Sequence, residues 1–163
     1  MNLPLDEAQA PETAPHPRMK RRQRALDVLV VEDESIIAKD IEFIITDLGH
    51  RVIGPARTQE EALSLALKSR PAVVVADVRL ADGSSGIVAV DEMLKQIDAA
   101  VVFVTAVPQW LQTGDLEPVL VIPKPYTVEE VKAAVAQAAS KRAQSLETIM
   151  ATKAAVGRLT RKQ

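Results

Sequence analysis

Cysteine is absent from the 163 residues, which excludes disulfides, thiolate metal sites and cysteine nucleophiles together. Aromatic residues make up only 2%, so the core must be aliphatic and stacking surfaces for bases or flavins are scarce. No apolar run reaches the roughly 18 residues that a membrane-spanning helix needs. The Pro-rich, polar stretch from Met1 to Arg24 has no apolar signal core, and a cytoplasmic location is the expectation. What is present is 47% hydrophobic residues, enough for the core of one domain with tails. The net charge of -2 is unevenly spread: residues 27–140 hold 18 Asp/Glu and 9 Lys/Arg, residues 1–26 five bases and three acids, and residues 141–163 six bases and one acid. An acidic body with basic ends is a poor nucleic-acid binder, and direct nucleic-acid contact is not expected.

Residues 1–26, with Pro11 to Pro17 as their most proline-dense stretch, cannot bury enough apolar surface to order themselves and are expected to be disordered. From Asp27 onward, strand and helix patterns alternate. Asp27–Val31, Arg51–Ala56, Ala72–Ala76, Ala100–Val104 and Val119–Ile122 read as strands. Ser35 to Leu48 places Ile37, Ile41, Ile44 and Leu48 on one helical face, and Gly49 is its stop. Thr58 caps a helix carrying Ala62, Leu63, Leu65, Ala66 and Leu67 that ends before Pro71. A third helix turns Ile87, Val90, Met93 and Leu94 inward. A last one, capped by Thr127, buries Val128, Val131, Ala134, Val135 and Ala138. Strands separated by single helices imply right-handed parallel crossovers: an α/β, flavodoxin-like (βα)5 sheet of order 2-1-3-4-5. The weak unit is Thr105 to Pro118, where two prolines and a glycine leave room for one short turn, a degraded fourth helix.

Four of the strands end on reactive polar residues: Glu32, Asp33 and Glu34 after the first, Asp77 after the third, Thr105 after the fourth, and Lys124-Pro125 after the fifth. Ligands of a parallel sheet gather beyond the carboxyl ends of its strands, so these groups are expected in one pocket. Glu32, Asp33 and Asp77 would raise one another's pKa values unless a cation neutralises them. The cluster therefore argues for a hard divalent ion such as Mg²⁺, which takes oxygen ligands. One carboxylate is also a candidate nucleophile, because aspartate forms aspartyl-phosphate intermediates. Its phosphoryl oxygens would need the metal, Lys124, the Thr105 hydroxyl and the Ala106 amide. A small residue at Ala106 leaves the approach to Asp77 open. Local packing that selects a cis Lys124-Pro125 bond would aim the ammonium inward.

Together, Glu32-Asp33, Asp77, Thr105-Ala106 and Lys124-Pro125 resemble, in order and strand context, the receiver domain of two-component response regulators, over about residues 27–140. The resemblance implies that Asp77 takes a phosphoryl group from a histidine kinase or phosphotransferase. It implies further that Asp33, Asp77 and the Arg79 carbonyl bind Mg²⁺, with Glu32 acting through water, and that the domain is a phosphoacceptor rather than an enzyme. Ala76 to Gly86 and Val104 to Gly114 are similar to the receiver half of PhyR-type general-stress-response regulators. In that family a sigma-factor-like domain precedes the receiver and captures an anti-sigma factor once released. With 26 residues ahead of the receiver here, the expectation is a stand-alone receiver of such a pathway, with a kinase and a sigma or anti-sigma pathway protein as partners and a homodimer left open. Many receivers carry Tyr or Phe three residues before the lysine. Val121 stands there, so the Thr105–Pro118 segment is expected to move as a whole.

Two alternatives stand beside this reading: a phosphohydrolase using Asp77 as transient nucleophile, and an interaction protein with an inert pocket. An aspartyl-nucleophile enzyme typically places a second Asp close behind the first, where Val78-Arg79 stand here. His50 beside Gly49 reads as a helix-terminal cation, His16 as a tail residue, and Trp110 and Tyr126 as packing residues around a mobile segment. Residues 141–163 read as a basic helical or frayed extension; a cationic helix that docks on a partner is the functional version.

Overall fold

In a computed structural model, residues 24–111 and 119–160 are described, the side chains of Trp110, Val119 and 152–160 apart. The chain runs β1 (Asp27–Val31), α1 (Ser35–Asp47), β2 (Arg51–Ala56), α2 (Gln59–Ser69), β3 (Val73–Ala76), α3 (Gly86–Leu94), β4 (Ala100–Thr105), β5 (Val119–Pro123) and α4 (Val128–Thr160). All pairings are parallel and the order is β2-β1-β3-β4-β5, the expected flavodoxin-like arrangement. Between β4 and β5 the described residues hold one 3₁₀ turn, Pro108–Trp110. The remainder of that crossover, and residues 1–23 on which most of the disorder expectation falls, lie outside the described residues.

Alternation along the central strands sorts the core into two layers. Val28 and Val30 of β1 join Ile41, Ile44 and Ile45 of α1 and Val131, Val135 and Ala138 of α4 on one face. Leu29 and Val31 point the other way, into Ala62 and Ala66 of α2 and Ala89, Val90 and Met93 of α3. Small residues on α2 let that helix lie close to the sheet. Some stripe positions differ from expectation. Ile45, not singled out, is fully buried, whereas Leu67 and Val128 are each 37% exposed because they sit toward solvent at the edge of their helices.

Local chemistry sets the helix ends. Thr58 accepts from the Glu61 amide at 3.2 Å. Thr127 and Glu130 form a reciprocal capping box: the Glu130 amide donates to Thr127 Oγ1 at 3.3 Å, and the Thr127 amide donates to Glu130 Oε2 at 2.7 Å. Helix α1 closes in a Schellman turn, with Gly49 (φ 81°) donating to the Thr46 carbonyl and His50 to that of Ile45. His50 is not the expected helix-terminal cation. Its ring is buried, Nδ1 accepts from the Leu26 amide at 3.4 Å, and burial lowers its pKa, so the neutral ring serves as an acceptor.

Candidate functional site

Register alone brings the strand ends together. Val31 of β1 lies opposite Ala76 of β3, so Glu32 and Asp77 leave the sheet side by side; the Asp77 amide donates to the Val31 carbonyl at 2.8 Å. Thr105 of β4 lies opposite Pro123 of β5, and the Lys124 amide donates to the Thr105 carbonyl at 2.8 Å. The Lys124-Pro125 peptide is cis, as is Gly54-Pro55, which was not anticipated.

Lys124 is the keystone of this edge. Its Nζ lies 2.8 Å from Glu32 Oε2 and 2.8 Å from Asp77 Oδ2, with side chains only 11%, 1% and 12% exposed. Asp77 Oδ1 accepts from the Val78 amide at 2.5 Å and Glu32 Oε1 from the Glu34 amide at 3.1 Å. Burial raises the Glu32 carboxyl pKa, an effect only partly offset by the hydrogen bonds from Lys124 and the Glu34 amide. Burial works to lower the Lys124 ammonium, but the hydrogen bonds to Asp77 and Glu32 outweigh it, and the net shift is upward. The lysine is thus held charged beside two acids.

Glu32, Asp33 and Asp77 each offer a carboxylate oxygen, and these oxygens lie within 4.8 Å of one another. Three carboxylates facing one ammonium leave a deficit of about two positive charges, which hard oxygen donors would fill with a divalent cation. The residues present fit Mg²⁺. Arg79, the expected source of a backbone ligand, follows Asp77 by two residues, and its backbone bridges to Ser85.

Thr105 is fully buried, and its Oγ1 accepts from the Val107 amide at 3.2 Å. Ala106 beside it is exposed, which keeps the approach to Asp77 free. Val107 and Leu111 pack against the α2–α3 core layer, anchoring the described part of the crossover. Tyr126 is half-buried and donates from its hydroxyl to Asp40 Oδ2 at 3.0 Å, which ties the Lys124 loop to α1. Whether Trp110 packs as expected lies outside the described side chains.

Two supporting residues escaped the sequence reading. Arg57 reaches from the end of β2 to donate to the Asp33 carbonyl at 3.1 Å and to Ser35 Oγ at 2.7 Å, pinning the loop that carries the acid pair. An Arg after a strand is too common to signal this. At Gly86 an added Cβ would fall onto the carbonyl oxygen of Asp77, so α3 begins directly against the backbone of that aspartate. The Ser85-Gly86 start of a helix was a readable hint of such close approach.

Residues 28–136 match the response regulator receiver domain family. The chain belongs to that family. Its receiver is similar to phyllosphere-induced regulator PhyR of Methylorubrum extorquens, at 46% identity over 116 residues that make up 70% of this chain and 43% of that protein. The response regulator PhyR from Brucella abortus has a similar crystal structure, with TM-score 0.72 and 43% identity over 78% of this chain and 53% of that one. Anti-anti-sigma factor PhyR of Bartonella quintana, solved in complex with anti-sigma factor NepR, matches at 44% identity and TM-score 0.50, over 71% of this chain and 48% of that one. The chain thus spans about half the length of these relatives. Among the described residues, no helix is long and apolar enough to cross a membrane.

Proposed function

We propose that this receiver is switched by phosphorylation of Asp77, with a histidine kinase or phosphotransferase as donor. The observation that carries the reading is the Lys124 ammonium, shared at 2.8 Å between Asp77 and Glu32 beside the third acid, Asp33. An Asp77 carboxylate oxygen attacks the phosphorus of a donor phosphohistidine. The O–P bond forms as the N–P bond breaks, and the leaving imidazole keeps the electron pair of that bond. Mg²⁺ held by Asp33, Asp77 and the Arg79 carbonyl, with Glu32 behind a water, would supply neutralising charge for the carboxylates and phosphoryl oxygens. Lys124 then exchanges its contact with Asp77 for a phosphoryl oxygen while Glu32 keeps it oriented.

Thr105 completes the cradle by donating its hydroxyl proton to the phosphoryl group. Turning Oγ1 toward the phosphoryl group draws it away from the Val107 amide, its donor at 3.2 Å, and this pulls on the segment that starts at Val107. With Val121 where an aromatic would otherwise rotate, the signal leaves through that segment. The likeness to PhyR supports a partner from a sigma or anti-sigma pathway of the general stress response, regulated by protein contact rather than by a DNA-binding output. Incubation with a small phosphodonor such as acetyl phosphate should label the protein only when Mg²⁺ is present, and Asp77→Asn should abolish the label. Labelling that survives Asp77→Asn would end this assignment.

A further inference from the structure

The last helix is far longer than its own domain requires. Helix α4 has 33 residues, about 50 Å at 1.5 Å per residue. Its last fully packed residue is Ala139, and Arg142 pairs with Asp98 at 2.8 Å. From Ala143 to Ala151 every residue is exposed. Because α4 follows β5 of a parallel sheet, it runs toward the strand starts, where Leu146 faces Leu26 and Ala72 across an open cleft, and then continues past the body. Leu146, Ile149 and Met150, at helical i, i+3, i+4 spacing, form an apolar stripe there with 42%, 43% and 70% of their surface exposed.

A matching surface lies on α1. Ile36 and Phe43, seven residues apart and hence on one face, are 85% and 69% exposed. Asp40, Glu42 and Asp47 on the same helix outnumber its one base, Lys39. The extension holds six bases and one acid, whereas residues 27–140 carry nine more acids than bases. Charge therefore favours extension on body and disfavours extension on extension. One continuous helix also leads its stripe away from its own α1, so the two surfaces can meet only between copies.

We propose that the chain forms an antiparallel two-fold dimer in which the projecting half of each α4 lies along the Ile36–Phe43 face of the other copy's α1. The lengths agree. The 18 residues from Ala143 to Thr160 span roughly 27 Å, enough to cover the roughly 20 Å of the 13-residue α1. A two-fold axis uses both surfaces twice and closes the assembly, leaving neither stripe exposed.

The cysteine-free chain makes the test direct. Phe43→Cys and Met150→Cys are introduced into separate copies of the full chain, which are mixed and oxidised, with folding of each checked by circular dichroism. The mixed disulfide should dominate over either like pair. Sedimentation velocity of the unsubstituted chain should show a dimer that dissociates as ionic strength rises from about 0.05 to about 0.5 M and the Debye length contracts well below 10 Å. Phe43→Ser and Ile149→Ser should each give monomers. A monomer at low salt, a dimer insensitive to Phe43→Ser, or predominant Met150→Cys like pairs would each overturn the proposal.

Discussion

Lys124 lies between two carboxylates, one of them almost wholly removed from water, and that placement governs what its loss would do. Lys124→Met strands Glu32 without a counter-charge, and urea unfolding should register a loss of about 3 kcal/mol at neutral pH. The deficit should shrink as pH falls and Glu32, whose pKa burial already raises, takes a proton. The double variant Lys124→Met/Glu32→Gln should recover part of it, because the more deeply buried of the two stranded carboxylates is then gone while Asp77 still lacks its counter-charge. At Gly86 the constraint is steric. Gly86→Ala drives a methyl group into the Asp77 carbonyl, a backbone atom that cannot swing aside. The expected cost, about 2–3 kcal/mol by urea denaturation, is in the upper range for overpacking.

At the scale of elements, the α1–β2 turn couples stability to pH through His50. Its neutral Nδ1 holds the Leu26 amide just before β1, and burial depresses its pKa below the usual 6.5. A depressed histidine stabilises the fold above its unfolded pKa, and this contribution is lost as pH falls through the folded value. Unfolding free energy should therefore decline on acidification from pH 7 to about 5. His50→Asn, which keeps an acceptor near the Nδ1 position but cannot take up a proton, should flatten that decline. A titration identical to that of the unsubstituted protein would show that another group is responsible.

For the molecule as a whole, the acid cluster exists only when β1 and β3 are paired, since Glu32-Asp33 and Asp77 are more than 40 residues apart in the chain. A cation that binds this cluster binds the folded chain alone. Mg²⁺ should raise the global melting temperature, by the equivalent of about 1.4 kcal/mol at tenfold excess over its Kd. Asp33→Asn should remove most of that gain, as followed by thermal unfolding across a Mg²⁺ series. The overall charge pattern, an acidic body with basic ends, is hidden in the net value of -2 but legible in segment counts; the structure adds that the basic C-terminal end is a helical arm.

Strand runs of Val and Ile, single helices between them and the residue types at their carboxyl ends were enough to derive the sheet order and to nominate Glu32, Asp33, Asp77, Thr105 and Lys124, because period and turn chemistry are local properties. Thr58 and Thr127 as caps were legible for the same reason. Contacts between distant segments were not: Arg57 on the Asp33 carbonyl, His50 on the Leu26 amide, and α3 resting on the backbone of Asp77 depend on which loops the crossovers bring side by side. The length of α4 was also only half readable, since an alanine-rich stripe marks a helix without marking where its supporting sheet stops. Pattern determined the elements and their chemistry; the paired register of five strands decided which of those side chains touch.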